Sequence, residues 1–171
     1  MATQQTGWRR ALRHTATTAG YARRHFPPDA LSRLQQAIAD GELRHRGEVR
    51  VVIESSLPFL QALSGVSPRE RARSLFAALD VWDTTDHTGV LLYVNLADHA
   101  VELLADRGID ARVGHETWAA LCQSLARGLA HALSVEPVLA AVAQIHELLA
   151  QHFPHHGEPD ANQLDDRPVL R

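Results

Sequence analysis

Five apolar residues, Val90 to Val94, run without interruption between Gly89 and Asn95, and no other feature of the chain constrains its fold as tightly. A run this short, partly β-branched and partly aromatic, reads as a strand buried on both faces. Such a strand needs other structure packed on each side. In "EVRVVIE", Val49, Val51 and Ile53 alternate with Arg50, Val52 and Glu54, which is the period of a second strand with one fully apolar face. Between the two, Ser67-Pro68-Arg69-Glu70 has the form of a capping box with proline at the first helical position. It predicts a helix to about Asp80 that buries Ala72, Leu75, Phe76 and Leu79. The preceding "LPFLQALSGVS" reads as a loop.

Strand, helix, strand is a βαβ unit, so the two strands are expected to be parallel with a right-handed crossover. "AVELLAD" follows a short turn and predicts a third strand, antiparallel to the second. Helical periodicity predicts further helices over about Pro28 to Leu43, Gly114 to Leu133 and Glu136 to His152. The expected fold is α/β: a three-layer α/β/α sandwich around a small mixed sheet, with a parallel βαβ unit plus an antiparallel hairpin strand.

A chain of 171 residues suits one compact domain with tails. The division expected is a basic helical segment over 1–26, the α/β domain over 27–153, and an acidic mobile tail over 154–171. Residues 1–26 hold five arginines and no acid, whereas Glu158, Asp160, Asp165 and Asp166 give the far end the opposite sign. A net charge of −3 gives no general drive toward nucleic acid, and no specific nucleic-acid partner is expected. The single cysteine, Cys122, excludes an intrachain disulfide and reads as a buried, inert thiol. No apolar run reaches the roughly 18 residues of a membrane span. With no secretory pattern at the start, a cytoplasmic protein is expected. Peripheral membrane contact through the basic segment stays open, although its apolar face, Trp8, Leu12, Tyr21 and Phe26, is thin.

The topology places the starts of the first two strands and the end of the third on one sheet edge. Three polar groups are expected to meet there: Glu42, His45 and Glu48; Asp83, Asp86 and His87; and Asp106 with Arg107. Carboxylates and an imidazole held together suit a divalent cation, since the metal relieves the repulsion between anionic oxygens. The expected metal ligands are Asp83, Asp86, His87 and Asp106, for calcium, magnesium or manganese. His45, Glu48 and Arg107 stand behind them or against a substrate. Each residue also has a purely local reading: Asp83 and Asp86 as turn formers, His45 at a helix end, Arg107 paired with a neighbouring acid.

The order of elements, together with "HRGEVRVVIESSL", "RARSLFAALDVWDTTDHTGVLLYVNLADHAVELLADRGI" and the closing helical "FP", resembles the TPM-domain family, in particular its short freestanding bacterial members. The resemblance covers about Phe26 to Pro154. It implies an α/β/α sandwich, a sheet-edge site that binds divalent cations in some members, and the acid phosphatase activity described for a plant thylakoid relative. Where the family has an asparagine before the second strand, His87-Thr88 stands here. Asp106-Arg107-Gly108 takes the place of its glycine-rich turn after the third. Asp98, at the hairpin, falls on the opposite edge and is expected to serve the turn. Three functions follow as expectations: a cation-binding domain serving a partner or envelope-maintenance process, a metal-dependent phosphatase acting on phosphomonoesters, and a protein-interaction module docking through its basic amino-terminal helix.

Overall fold

A computed structural model describes residues 2–155 and 162–171. Its centre is β2 (Gly89–Asn95), buried along its whole length because both faces of the sheet are covered. β1 (Glu48–Glu54) pairs with it in parallel, from Glu48 opposite Gly89 to Glu54 opposite Asn95. β3 (Ala100–Ala105) returns antiparallel on the other side, as the hairpin requires.

Alternation along the strands divides the core in two. Val49, Val51, Ile53, Val90, Leu92 and Val94 face α3 (Pro28–Glu42), α7 (His115–His131) and α8 (Val135–His152) through one large apolar cluster. Val52, Leu91 and Tyr93 face α5 (Pro68–Ala78) through a smaller one. Helices thus lie on both faces, in the three layers expected. α5 begins as its sequence predicts: Ser67 Oγ accepts from the Glu70 amide, and a Glu70 carboxylate oxygen accepts from the Ser67 amide at 2.7 Å.

The structure departs from the sequence reading in three places. The segment read as a loop contains α4 (Phe59–Leu63), a short helix with no periodicity of its own to betray it. It forms because Ala62 packs with Leu57 against Ala11 of α1 (Ala2–Ala16), so tertiary contact supplies what local pattern lacks. Asp106-Arg107-Gly108 is the start of α6 (Arg107–Val113), with Asp106 as its N-cap, rather than a turn. The expected mobile tail returns to the sheet: β4 (Val169–Leu170) pairs in parallel with Val52 and Ile53, giving the order β3-β2-β1-β4. The outer ladder of β1 is buried and needs partners, and Arg171 extends the pairing by bonding to Ile53 O and from Ser55 N. Glu158 and Asp160 lie outside the described residues.

α2 (Ala19–His25) joins the body through Ala22, and Phe26, just beyond it, is completely buried in the larger cluster. The apolar face expected of the basic segment is therefore thinner by one aromatic.

Candidate functional site

At the amino ends of β1 and β2 the backbone brings the three expected groups together, since the Asp106 amide donates to Gly89 O at 2.9 Å beside the Glu48 and Gly89 pair. The side chains do not converge to match. Asp106 Oδ1 accepts from the Arg107 amide as a helix cap, while its Oδ2 is buried without a hydrogen-bond partner, 3.5 Å from His87 Nδ1. Asp86 is held by Arg46 at 2.7 Å. Asp83 is exposed in the turn after α5, and Arg107 is exposed as well. Glu48 accepts from the Gln163 and Leu164 amides at 3.2 Å each, so the chain end occupies it. Among the described residues no three histidines, cysteines or acids stand close enough together to hold a metal ion. Of the four expected ligands, His87 and Asp106 come within ion-pair distance of each other, at 3.5 Å.

His45 is buried and belongs to a different assembly. Its Nδ1 accepts from the Gly47 amide at 3.1 Å, so its Nε2 carries the proton and donates to His146 Nδ1 at 2.8 Å. The proton on His146 Nε2 then has no partner. Burial pushes His45 down to about 3 and His146 down to about 4, which keeps both rings neutral. Gly41 is required beside them, because a Cβ there would overlap the His146 ring. Glu42 accepts from the Val49 amide at 2.7 Å and, with His45, Glu48 and Asp166, lines a cavity of about 180 Å³. Burial first, then the neighbouring Glu48 and Asp166, push its carboxyl up to about 9.

The denser polar construction lies at the opposite edge, where β1 and β2 end. In open α/β sheets this is where ligands collect. Glu54, the last residue of β1, receives Arg71 from α5 at 2.6 and 3.0 Å and the Tyr93 hydroxyl at 2.7 Å. The Asn95 amide nitrogen donates to the Tyr93 hydroxyl oxygen at 2.9 Å, and its carbonyl accepts from the Asp98 amide at 2.9 Å. Asp98 in turn receives Arg10 through two bonds, at 2.6 and 3.0 Å, and Arg13 at 2.8 Å. One hydrogen-bonded chain thus runs from α5 across the strand ends to α1. Burial and the Glu54 bond push the Tyr93 phenol well above its ordinary range. Burial would raise Asp98, but the arginines outweigh it and hold the carboxyl at about 2. His14, 3.1 Å from Asp98, accepts from the Leu57 amide and is shifted down by burial. Asp98 is therefore the anchor of α1, a larger role than the turn expected of it.

Next to this chain a cavity of about 310 Å³ opens at the end of β2. Its walls are mainly apolar, including Val94, Val101, Leu129 and Leu133, with Tyr21 and His99 as exposed polar points and the fully buried Asn95 in the lining. His99 has a φ of 51°, in the left-handed region, which histidine enters more readily than most residues and which serves the tight turn between β2 and β3. The sequence did carry signals for this edge: Glu54 and Asn95 are polar residues that follow the apolar runs Val51 to Ile53 and Val90 to Val94 in two strands that the βαβ unit makes parallel.

No functionally curated protein matches the sequence. Solved structures that share its fold include two determined by NMR. The BA42 protein of the psychrophilic bacterium Bizionia argentinensis, solved by NMR, is 22% identical over 82% of this chain and 92% of its own, with a TM-score of 0.71. The N-terminal domain of a protein from P. gingivalis is 18% identical over 72% of this chain and 80% of its own, with a TM-score of 0.52. The sequence model of the TPM domain matches residues 23–133, which hold β1, β2 and β3 with Glu54, Tyr93, Asn95 and Asp98 at one edge and His45, Glu48, His87 and Asp106 at the other, and the chain accordingly belongs to the TPM domain family.

Proposed function

We propose that this TPM domain works by binding, in the service of a partner process, and that its working site is the carboxyl-end edge of the sheet. The observation that carries this reading is the cavity of about 310 Å³ beside Asn95 and His99. Concave, mostly apolar space with a few fixed polar groups is what a small ligand site consists of. The strong acids and bases around it are paired with one another, which suits a rigid receptor. The ligand that fits is a compact apolar group with one hydrogen-bonding end. Titrating benzyl alcohol and cyclohexanol against the isotope-labelled protein is expected to shift the amide resonances of Asn95, His99 and Leu129. Ala126→Phe, which fills the cavity, is expected to abolish those shifts while leaving the rest of the spectrum in place. Shifts absent from these residues, or surviving the substitution, would remove the reading.

A second reading keeps a divalent cation at the amino-end edge, favoured by the buried, unpaired Oδ2 of Asp106 beside His87. Two side-chain ligands fall short of the six to eight oxygens calcium takes, so the residues do not form a closed site and water would supply the rest. Binding of that kind saturates only near millimolar cation. Melting in ~10 mM calcium, magnesium or manganese is expected to rise for the native protein and not for Asp106→Asn, because a ligand of the folded state must stabilise it. No rise in the native protein would discard the cation. Phosphomonoester hydrolysis rests on the same ion, so metal-dependent activity lost in Asp106→Asn is the result that would favour an enzyme.

A further inference from the structure

We propose that α1 and α4 together form a docking face for an anionic phospholipid surface. Four large apolar side chains project from these two helices: Trp8 is 55% exposed, Leu12 58%, Phe59 36% and Leu60 74%. Trp8 and Leu12 are four residues apart and so lie on one side of α1. Phe59 meets Trp8 edge to face, with ring centroids 5.8 Å apart, which joins the two helices into one apolar ridge. The pair is closely set, since a Cβ on Gly7 would stand 3.2 Å from Leu63 O. It is also fixed to the body, because Arg10 donates to Ala62 O and Val66 O as well as to Asp98. These side chains are held out on a rigid platform, where leaving them in water costs free energy that a covering surface would recover.

Charge selects the surface. Residues 1–26 carry five arginines and no acid, and residues 55–66 carry no charged residue at all. Arg9, Arg13, Arg23 and Arg24 are exposed. Tryptophan, phenylalanine and leucine flanked by arginine is the composition of a helix that lies in the headgroup region, where aromatic rings sit at the boundary and cations meet anionic lipid. No described helix is long and apolar enough to cross a membrane, so the attachment is peripheral. The sequence alone understates this face, because Phe59 and Leu60 come to it from 47 or more residues further along the chain, through packing.

The test uses the full chain with vesicles of phosphatidylcholine alone and of phosphatidylcholine mixed with phosphatidylglycerol. Co-sedimentation with the anionic vesicles, weakened by salt and absent with neutral ones, is expected. In a Trp82→Phe background, which leaves Trp8 as the exposed indole, emission is expected to move to shorter wavelength on binding. The double substitution Trp8→Ser and Leu60→Ser is expected to lower the partition coefficient about tenfold or more. Arg9→Gln with Arg23→Gln and Arg24→Gln is expected to lower it for anionic vesicles. All these positions are exposed, so unchanged thermal melts establish that the variants fold. Failure to bind anionic vesicles, equal binding to neutral ones, or indifference to the substitutions overturns the proposal. So does sedimentation showing a dimer that Trp8→Ser with Leu60→Ser dissociates, which would assign the face to a second copy.

Discussion

Arg71→Ala is expected to lower the stability of the domain by about 3–5 kcal/mol in urea unfolding, the effect of stranding one buried charge. The Glu54 side chain is 3% exposed and Arg71 16%, so water reaches neither well enough to replace the other. With Arg71 gone, Glu54 keeps only the Tyr93 hydroxyl, and a single neutral donor does not compensate an ionised carboxylate in the core. Tyr93→Phe removes one hydrogen bond to a charged group and leaves the ion pair, so its cost is expected to be about 1.5–3 kcal/mol. Replacing the group by apolar residues of similar volume, Glu54→Leu with Arg71→Met and Tyr93→Phe, is expected to be milder than Arg71→Ala alone, because no unpaired charge remains and only the neutral Asn95 amide nitrogen loses its acceptor. A loss below ~1 kcal/mol in Arg71→Ala would show that Glu54 is hydrated or protonated, and the account of a dry ion pair would fail. The same variant bears on binding. Glu54 positions Tyr93, Tyr93 positions Asn95, and Asn95 lies in the wall of the cavity proposed as the ligand site.

Much of the framework was legible in the sequence because local chemistry and global fold agree there. Val90 to Val94 reads as a doubly buried strand by its shortness and its β-branched and aromatic content, Ser67 and Glu70 announce the start of α5, and the βαβ order fixes which strand ends share an edge. The amino-end edge was predicted correctly in its backbone and poorly in its side chains, and the reason is competition for partners. Asp106 caps α6, Arg46 takes Asp86, and two amides near the chain end bind Glu48. None of these claims can be read from strand order. β4 escaped notice because two residues carry no period, and α4 because its buried contact with Ala11 bridges distant parts of the chain. At the carboxyl-end edge the sequence offered Glu54 and Asp98 separately. Their connection through Tyr93 and Asn95 depends on alternate β2 residues lying on the same face as Glu54 of the neighbouring strand, which is a matter of register.

Stability is expected to pass through a maximum near pH 6.5 and to fall on both sides, and the sign on each side follows from burial at the amino-end edge. His45 and His146 are held at about 3 and about 4 against an ordinary 6.5, so between those limits the unfolded chain binds protons that the native protein refuses. Stability conferred by the neutral pair is therefore complete above 6.5 and lost as pH falls toward 4 and 3. His14, also shifted down, adds to the same limb. Glu42 acts in the opposite sense. Its carboxyl is raised from 4.5 to about 9, so the native protein keeps a proton that the unfolded chain gives up, and stability declines from 4.5 upward through 9. Below pH 6.5 the histidines outnumber this single group; above it, Glu42 acts alone of these. One proton of difference is worth ~1.4 kcal/mol per pH unit, which makes the alkaline limb ~2–3 kcal/mol between pH 6.5 and 9 once partial exposure to the cavity is allowed for. Asp98, held at about 2, contributes stability that is present above its ordinary 3.8 and stays out of this window. Urea unfolding across pH 4 to 9 measures both limbs. Glu42→Gln is expected to flatten the alkaline side only. His45→Leu with His146→Leu is expected to shrink the acid side to the share of His14, since replacing both rings leaves neither with an unpaired nitrogen. An alkaline fall that survives in Glu42→Gln would place the responsible group elsewhere and undo the assignment of that cavity as a protonated carboxyl site.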